Sequence, residues 1–255
     1  MKKQLTYKSK RWKTAQKIEK NFWSEYKKRH ITDHDKIIDK QTLKHISKLK
    51  QFILTGKDKT ILEIGCGPIP LILALPPSKK YALDPLMNYY VSEFKLPKNV
   101  KWVTGVGEAM PFSDKYFDAI ICVNVLDHVS NPNKVANEIG RICKKDGTLY
   151  LTINCVDPII KLYKRTREHL GFGDKAHPFT FTEKDIISLI GKSGFKITKK
   201  YRELSYYGEK KDTPKQKKPL KAIINETIIK ILAALKGQTL EEAEYMSYTF
   251  IAKKI

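Results

Sequence analysis

The sequence predicts an α/β chain built on a mostly parallel sheet with helices on both faces. Three observations carry that prediction. From Lys59 onward, short apolar runs bounded by Gly, Pro and Asp alternate with helical patterns, as βαβ units require. The first run, Ile61-Leu62-Glu63-Ile64, stops at Gly65-Cys66-Gly67, where glycines allow a sharp turn and a closer ligand approach than any Cβ permits. Polar or glycine residues then stand at four successive predicted strand ends, the edge at which open α/β sheets bind ligands.

Two helical patterns precede the sheet. Trp12, Ala15, Ile18 or Glu19, Phe22 and Tyr26 recur at three-to-four spacing with lysines between them. Thr32-Asp33 offers a second helix start, and Ile37, Ile38, Leu43, Ile46, Leu49 and Ile53 continue the stripe until Gly56. Residues 1–58 therefore read as a helical cap, with Trp12, Phe22, Trp23 and Tyr26 as packing aromatics in preference to a surface that stacks on a substrate or bases. Residues 59–255 read as the sheet domain, with additions around 156–180 and 205–240 on the side that would choose a substrate.

Within that domain the strands are expected at Ile61–Ile64, Lys80–Leu83, Asn99–Thr104, Tyr116–Val123, Thr148–Ile153, Lys196–Leu204 and Tyr245–Ala252. A short helix over Leu71–Leu75 follows the glycine turn, and Asn131-Pro132 opens a helix over Asn133–Cys143 that closes at Lys144–Gly147. Further helices are expected at Pro158–Leu170, at Glu183–Lys192 with Thr182 and Asp185 as a capping-box start, and at Leu220–Leu235. The last is apolar along Ile223, Ile224, Ile228, Ile231, Leu232 and Leu235, and packing against the sheet is its simplest use.

The formal charge is +22, unevenly spread: residues 1–58 carry 17 Lys/Arg against 6 Asp/Glu, and residues 196–221 carry 10 against 3. Such patches attract nucleic acid, phosphorylated or acidic substrates, or anionic membrane, but a solvated lysine surface is the preferred reading. No apolar run approaches the roughly 20 residues needed to span a bilayer, and no apolar signal core follows the basic N-terminus. Cys66, Cys122, Cys143 and Cys155 show no Cys-x-x-Cys spacing and read as buried, reduced thiols of a cytoplasmic protein.

The strand ends carry the chemistry. The first holds Glu63, Gly65, Cys66 and Gly67; the second ends in Asp84-Pro85-Leu86, with Asp84 21 residues after Glu63, near the offset at which an acid accepts ribose hydroxyls. The third continues into Gly107-Glu108-Ala109, and the fourth into Asn124-Val125-Leu126-Asp127-His128. Each alone is a weak signal; four in order are strong. A dinucleotide fingerprint wants glycine at position 70, where the chain has Pro70, and no full-length helix follows to hold a pyrophosphate. A ribose- and adenine-bearing cofactor without phosphates fits better.

These residues, over 59–155, resemble class I S-adenosylmethionine-dependent methyltransferases of the group that includes ubiquinone- and menaquinone-pathway enzymes. The resemblance implies a Rossmann-like seven-stranded, mostly parallel sheet and S-adenosyl-L-methionine as cofactor. It implies that Glu63–Gly67 meets the methionine part, Asp84 the ribose, Pro85-Leu86 and Gly107-Glu108-Ala109 the adenine side, and Asn124-Val125 the post-strand loop. Ile69 departs from the third glycine often found in the first motif. Methyl transfer to oxygen benefits from a base, for which His128 is the first candidate, with Asp127 to orient it or help hold the cofactor, and His177 a second candidate. No spacing among His128, His169 and His177 matches a metal motif, so no metal is expected. The acceptor expected is a small molecule or glycan-type metabolite; an RNA or other nucleic-acid acceptor and a non-catalytic cofactor-binding subunit are the alternatives.

Overall fold

A computed structural model describes residues 10–29, 40–172, 177–204, 220–244 and 246–255. Seven strands, β1 (Thr60–Ile64), β2 (Lys79–Asp84), β3 (Val100–Thr104), β4 (Phe117–Val123), β5 (Cys143–Cys155), β6 (Phe195–Leu204) and β7 (Met246–Lys254), form one sheet in the order β3-β2-β1-β4-β5-β7-β6. The β3-β2-β1-β4-β5 ladder is parallel, and β7 pairs antiparallel with both β5 and β6. Strand order reverses between β1 and β4, which places a topological switch point, and hence a ligand crevice, beyond their C-terminal ends.

All five residues of β1 are buried, as a central parallel strand covered on both faces demands. One layer is built by helices α1 (Lys10–Arg29), α2 (Lys40–Phe52) and α3 (Met87–Glu93), the other by α4 (Pro132–Ile142) and α6 (Glu183–Lys192). Leu49 and Ile53, at and just past the end of α2, pack with Ile61, Ile121 and Tyr150. Ile139 of α4 and Ile186 of α6 pack with Leu62, Ile120 and Leu149 on the opposite face. The starts of α4 and α6 follow local chemistry: Asn131 Oδ1 accepts from Lys134 N ahead of Pro132, and Thr182 and Asp185 form the expected capping box.

The remaining helices, α5 (Pro158–His169), α7 (Leu220–Ala234) and α8 (Leu240–Glu244), make a satellite layer. Ile229 and Ala233 of α7 pack with Ile160 of α5 and Ala243 of α8, so α7 rests on other helices instead of the sheet. Among the described residues no helix is long and apolar enough to cross a membrane. All four cysteines are buried and free.

Three elements differ from expectation. α3 was not foreseen, because its seven residues include Tyr89, Tyr90 and Val91, poor helix formers; tertiary burial of Met87 and Tyr90, three apart, holds it. Strand β5 starts at Cys143 instead of Thr148: the expected turn at Lys144–Gly147 is a bend inside the paired strand, with Asp146 at φ 60° and a register shift opposite Phe117/Ala119. The five-residue α8 is too short to leave a periodic signal. The Thr32-Asp33 helix start and the lysine-rich segment 205–219 lie outside the described residues.

The two layer helices meet closely at Gly140, where a Cβ would stand 2.4 Å from the Ser193 carbonyl oxygen. That neighbour is backbone and cannot rotate away. Gly140→Ala is expected to destabilise the fold by about 1–3 kcal/mol, read as a lowered midpoint in urea unfolding.

Candidate functional site

The site grows from the chain that leaves β1. Gly65 (φ 61°) and Gly67 (φ 57°) adopt the left-handed conformation that glycine tolerates without strain. At Gly65 a Cβ would come within 2.5 Å of Val125 Cγ2, so the β1 loop and the post-β4 loop touch across the switch point only because the side chain is missing. Gly67 lies under the Trp23 ring of α1, 3.1 Å from where its Cβ would be.

Two carboxylates hold this loop. Glu63, 4% exposed, accepts from Leu71 N at 3.1 Å and from Ile72 N at 2.7 Å, tying down the single 3-10 turn Leu71–Ala74. Desolvation pushes its pKa up to about 8, against the pull of those two N–H groups. Asp84, at the end of β2, accepts from Gly67 N at 3.1 Å and from Leu86 N at 2.8 Å. Burial raises its pKa to about 6, and the negative charge of Glu19 adds to the rise.

A cavity of about 90 Å³ opens over these strand ends. Gly65, Asp84 and Pro85 line it from the first two loops, Gly107 and Glu108 from the third, and Asn124, Val125 and His128 from the fourth, over an apolar floor that includes Ile64 and Leu83. Of the other sequence-predicted cofactor residues, Glu63 sits beneath the loop, Cys66 packs with Met87 and Tyr90, Gly67 is covered by Trp23, Leu86 packs against the same cluster, and Ala109 is exposed; none lines the cavity. Glu108 Oε1 accepts from Ser130 N at 2.6 Å and Asn131 N at 3.0 Å, which joins the third loop to the start of α4. Asn124 takes φ 53°, unusual for a non-glycine residue, and its N–H is held by the Thr152 carbonyl at 2.9 Å.

Asp127, His128 and His177 converge. Their ligand-capable atoms lie within 4.8 Å of one another, and the two imidazole rings are 4.6 Å apart at their centroids. Phe179 N donates to the Asp127 carbonyl at 3.3 Å, pinning the His177 segment to the turn after β4. His169 is elsewhere, on a groove between α5 and α6.

Sequence reasoning missed the roof. Trp12, Gln16 and Glu19 of α1 close the cavity, and Gln16 Oε1 is buried there without a hydrogen-bond partner. α1 is seated by Trp23, which donates to Glu19 Oε1 at 2.8 Å and meets Tyr90 edge-on at 6.3 Å, and by the Lys27–Glu93 ion pair at 3.0 Å. The available signal was Trp12, Gln16, Glu19 and Trp23 at helical spacing: a face that mixes polar groups into an aromatic stripe serves a site better than a core.

Residues 62–151 match the family model described as "Methyltransferase domain". Over these residues the chain carries a class I S-adenosylmethionine-dependent methyltransferase domain. An uncharacterized protein of Methanocaldococcus jannaschii is 26% identical over 175 residues, covering 67% of this chain and 81% of the relative. The thiol S-methyltransferase TMT1B of Rattus norvegicus is 29% identical over 155 residues, covering 55% of this chain and 63% of that protein. The crystal structure of the YcgJ protein from Bacillus subtilis shares the fold, with a TM-score of 0.61 at 18% identity over 85% of this chain and 99% of that one. The chain thus spans between roughly two thirds and four fifths of these curated relatives. The cavity lining, with Gly65 and Gly107, the strand-end acid Asp84 and apolar walls, fits the chemistry of a cofactor that carries a ribose and an adenine.

The raised carboxylates give a pH signature. A folded-state pKa above the unfolded value means that the folded protein holds the proton more tightly, so stability is fullest at low pH and declines as pH rises through the folded value. For Glu63 the decline runs between its ordinary 4.5 and about 8, at no more than ~1.4 kcal/mol per pH unit. The melting temperature is expected to fall across that window, and Glu63→Gln to flatten the slope relative to wild type.

Proposed function

We propose that this methyltransferase transfers the methyl group to a hydroxyl of a small-molecule or glycan-type acceptor that meets His128, with loss of the acceptor's proton assisted at that side chain. The observation that carries the reading is the position of His128: it lines the cavity at the strand ends, on the far side of the switch point from the glycine loop. S-adenosylmethionine, when bound, supplies a sulfonium-activated methyl group that needs positioning more than activation. Asp84 retains lone pairs beyond those used by Gly67 and Leu86 and accepts the ribose hydroxyls. The Gly65 backbone meets the methionine end, and Pro85, Gly107 and Glu108 flank the adenine. Gln16 offers its buried carbonyl oxygen to a cofactor donor from above. Asp127 orients His128, 3.9 Å from its Nε2, and His177 closes the acceptor side.

The similarity to a thiol S-methyltransferase supports a small acceptor whose reacting atom sheds a proton, a need that hydroxyls share with thiols. An open groove of about 640 Å³ adjoins the His177 segment through Pro178 and Phe179; Lys161, Arg165, Lys184 and Lys192 outnumber Glu168 and Asp185 along it, a basic balance that favours an acceptor bearing an acidic group.

Two measurements test this reading. S-adenosylmethionine affinity, measured by calorimetry, is expected to weaken as pH drops through about 6, where Asp84 gains its proton, and Asp84→Asn is expected to remove that dependence while weakening binding about tenfold or more. His128→Ala is expected to bind the cofactor normally yet lose roughly 10²–10⁴-fold in turnover at saturating acceptor; near-wild-type turnover would make His128 structural.

A further inference from the structure

The structure assigns Asp127, His128 and His177 to a divalent transition-metal site at the acceptor edge of the cavity. The inference rests on the reading that the acceptor meets His128, and it names what makes that edge reactive. Three donors from two separated segments lie within 4.8 Å of one another. A carboxylate with two imidazoles is a donor set that suits Zn²⁺, Fe²⁺, Co²⁺ or Ni²⁺ in preference to Mg²⁺ or Ca²⁺, whose sites are built from oxygen.

Asp127 supplies the independent observation. It is 7% exposed, its Oδ1 is buried without a hydrogen-bond partner, and its one ion-pair partner among the described residues is His128 at 3.9 Å. A carboxylate withdrawn from water and left half-satisfied is costly unless a cation compensates it. A bound metal ion does so while engaging both imidazoles. Ligand atoms about 2.0–2.1 Å from a tetrahedral metal stand roughly 3.4 Å apart, so binding needs only an ångström-scale closure of these side chains.

The backbone is prepared for that closure. Phe179 N already holds the Asp127 carbonyl, and His128 N donates to the Val125 carbonyl at 3.0 Å, so both segments are fixed beside the ligands. Three protein donors leave a fourth position open, the arrangement of catalytic rather than structural sites. Because His128 lines the cavity, that position faces the acceptor. A hydroxyl bound there loses its proton to solvent more readily, since the cation lowers its pKa, and His128 then assists as a ligand.

The test uses untagged full-length protein, freed of metal by chelator and dialysed. Titration with Zn²⁺ in a calorimeter is expected to show one saturable equivalent, and Co²⁺ to develop visible absorption bands unlike those of the hydrated ion. Asp127→Asn, His128→Ala and His177→Ala are each expected to weaken Zn²⁺ binding at least tenfold while keeping the melting shift produced by S-adenosylmethionine. Absence of saturable Zn²⁺ binding, an unchanged hydrated Co²⁺ spectrum, or binding indifferent to all three substitutions overturns the site. The Co²⁺ spectrum needs only wild-type protein, so the test holds even where a variant fails to fold. If His128→Ala abolishes turnover in a protein that binds no metal, the acceptor reading stands and the metal site falls. If metal binds and His128→Ala keeps its turnover, the metal site stands and the acceptor reading falls.

Discussion

The arrangement depends on two buried carboxylates that hold a loop with almost no secondary structure of its own. Between Ile64 and Leu71 the chain runs through Gly65, Gly67, Pro68 and Pro70, and it needs partners for amides that no ladder satisfies. Glu63 takes the far end of the loop through Leu71 and Ile72, and Asp84 takes its middle through Gly67. Burying both acids costs solvation, and the upward shift of both pKa values records that cost. The return is a fixed path for the backbone, and with it the contact of Gly65 on Val125 that brings the first and fourth loops together. Loosening either acid would shift the loop on which the cavity's geometry is built.

Much of this was legible in the sequence, because strand ends in a parallel sheet are marked by local chemistry. Gly65, Asp84, Gly107 and Asn124 each interrupt an apolar pattern where the chain leaves the sheet, and sheet topology alone gathers them at one edge. What local pattern could not give is direction. Glu63 shares a strand end with the glycines, yet its side chain turns below the loop to Leu71 and Ile72, a distinction fixed only when the 3-10 turn folds back over β1. Nor could spacing foresee the meeting of His128 with His177, 49 positions apart and joined by a backbone bond from Phe179 to Asp127.

The roof was illegible for a related reason. Trp12 and Trp23 read as packing residues, and Trp23 does pack, but on Tyr90 of the helix that periodicity overlooked. Without α3 there is no seat for α1, and without that seat there is no reason to bring Gln16 and Glu19 over Asp84. The omission of one marginal seven-residue helix therefore concealed three wall residues. Short elements held by tertiary burial carry little propensity, so errors of this kind fall where segments distant in sequence meet.

The roof also bears on how the cavity is used. Its volume of about 90 Å³ is well below the roughly 300–1,000 Å³ typical of small-molecule sites. The floor is made of strand ends and of loops held by buried carboxylates. Besides Trp23 and the buried Ala15, α1 is seated by the half-exposed Lys27–Glu93 pair and by Lys20 over Tyr89. A donor brought to the buried Gln16 oxygen would supply a hydrogen bond that this side chain lacks, so the roof carries an unmet polar demand that the carboxylate-held loops beneath it do not.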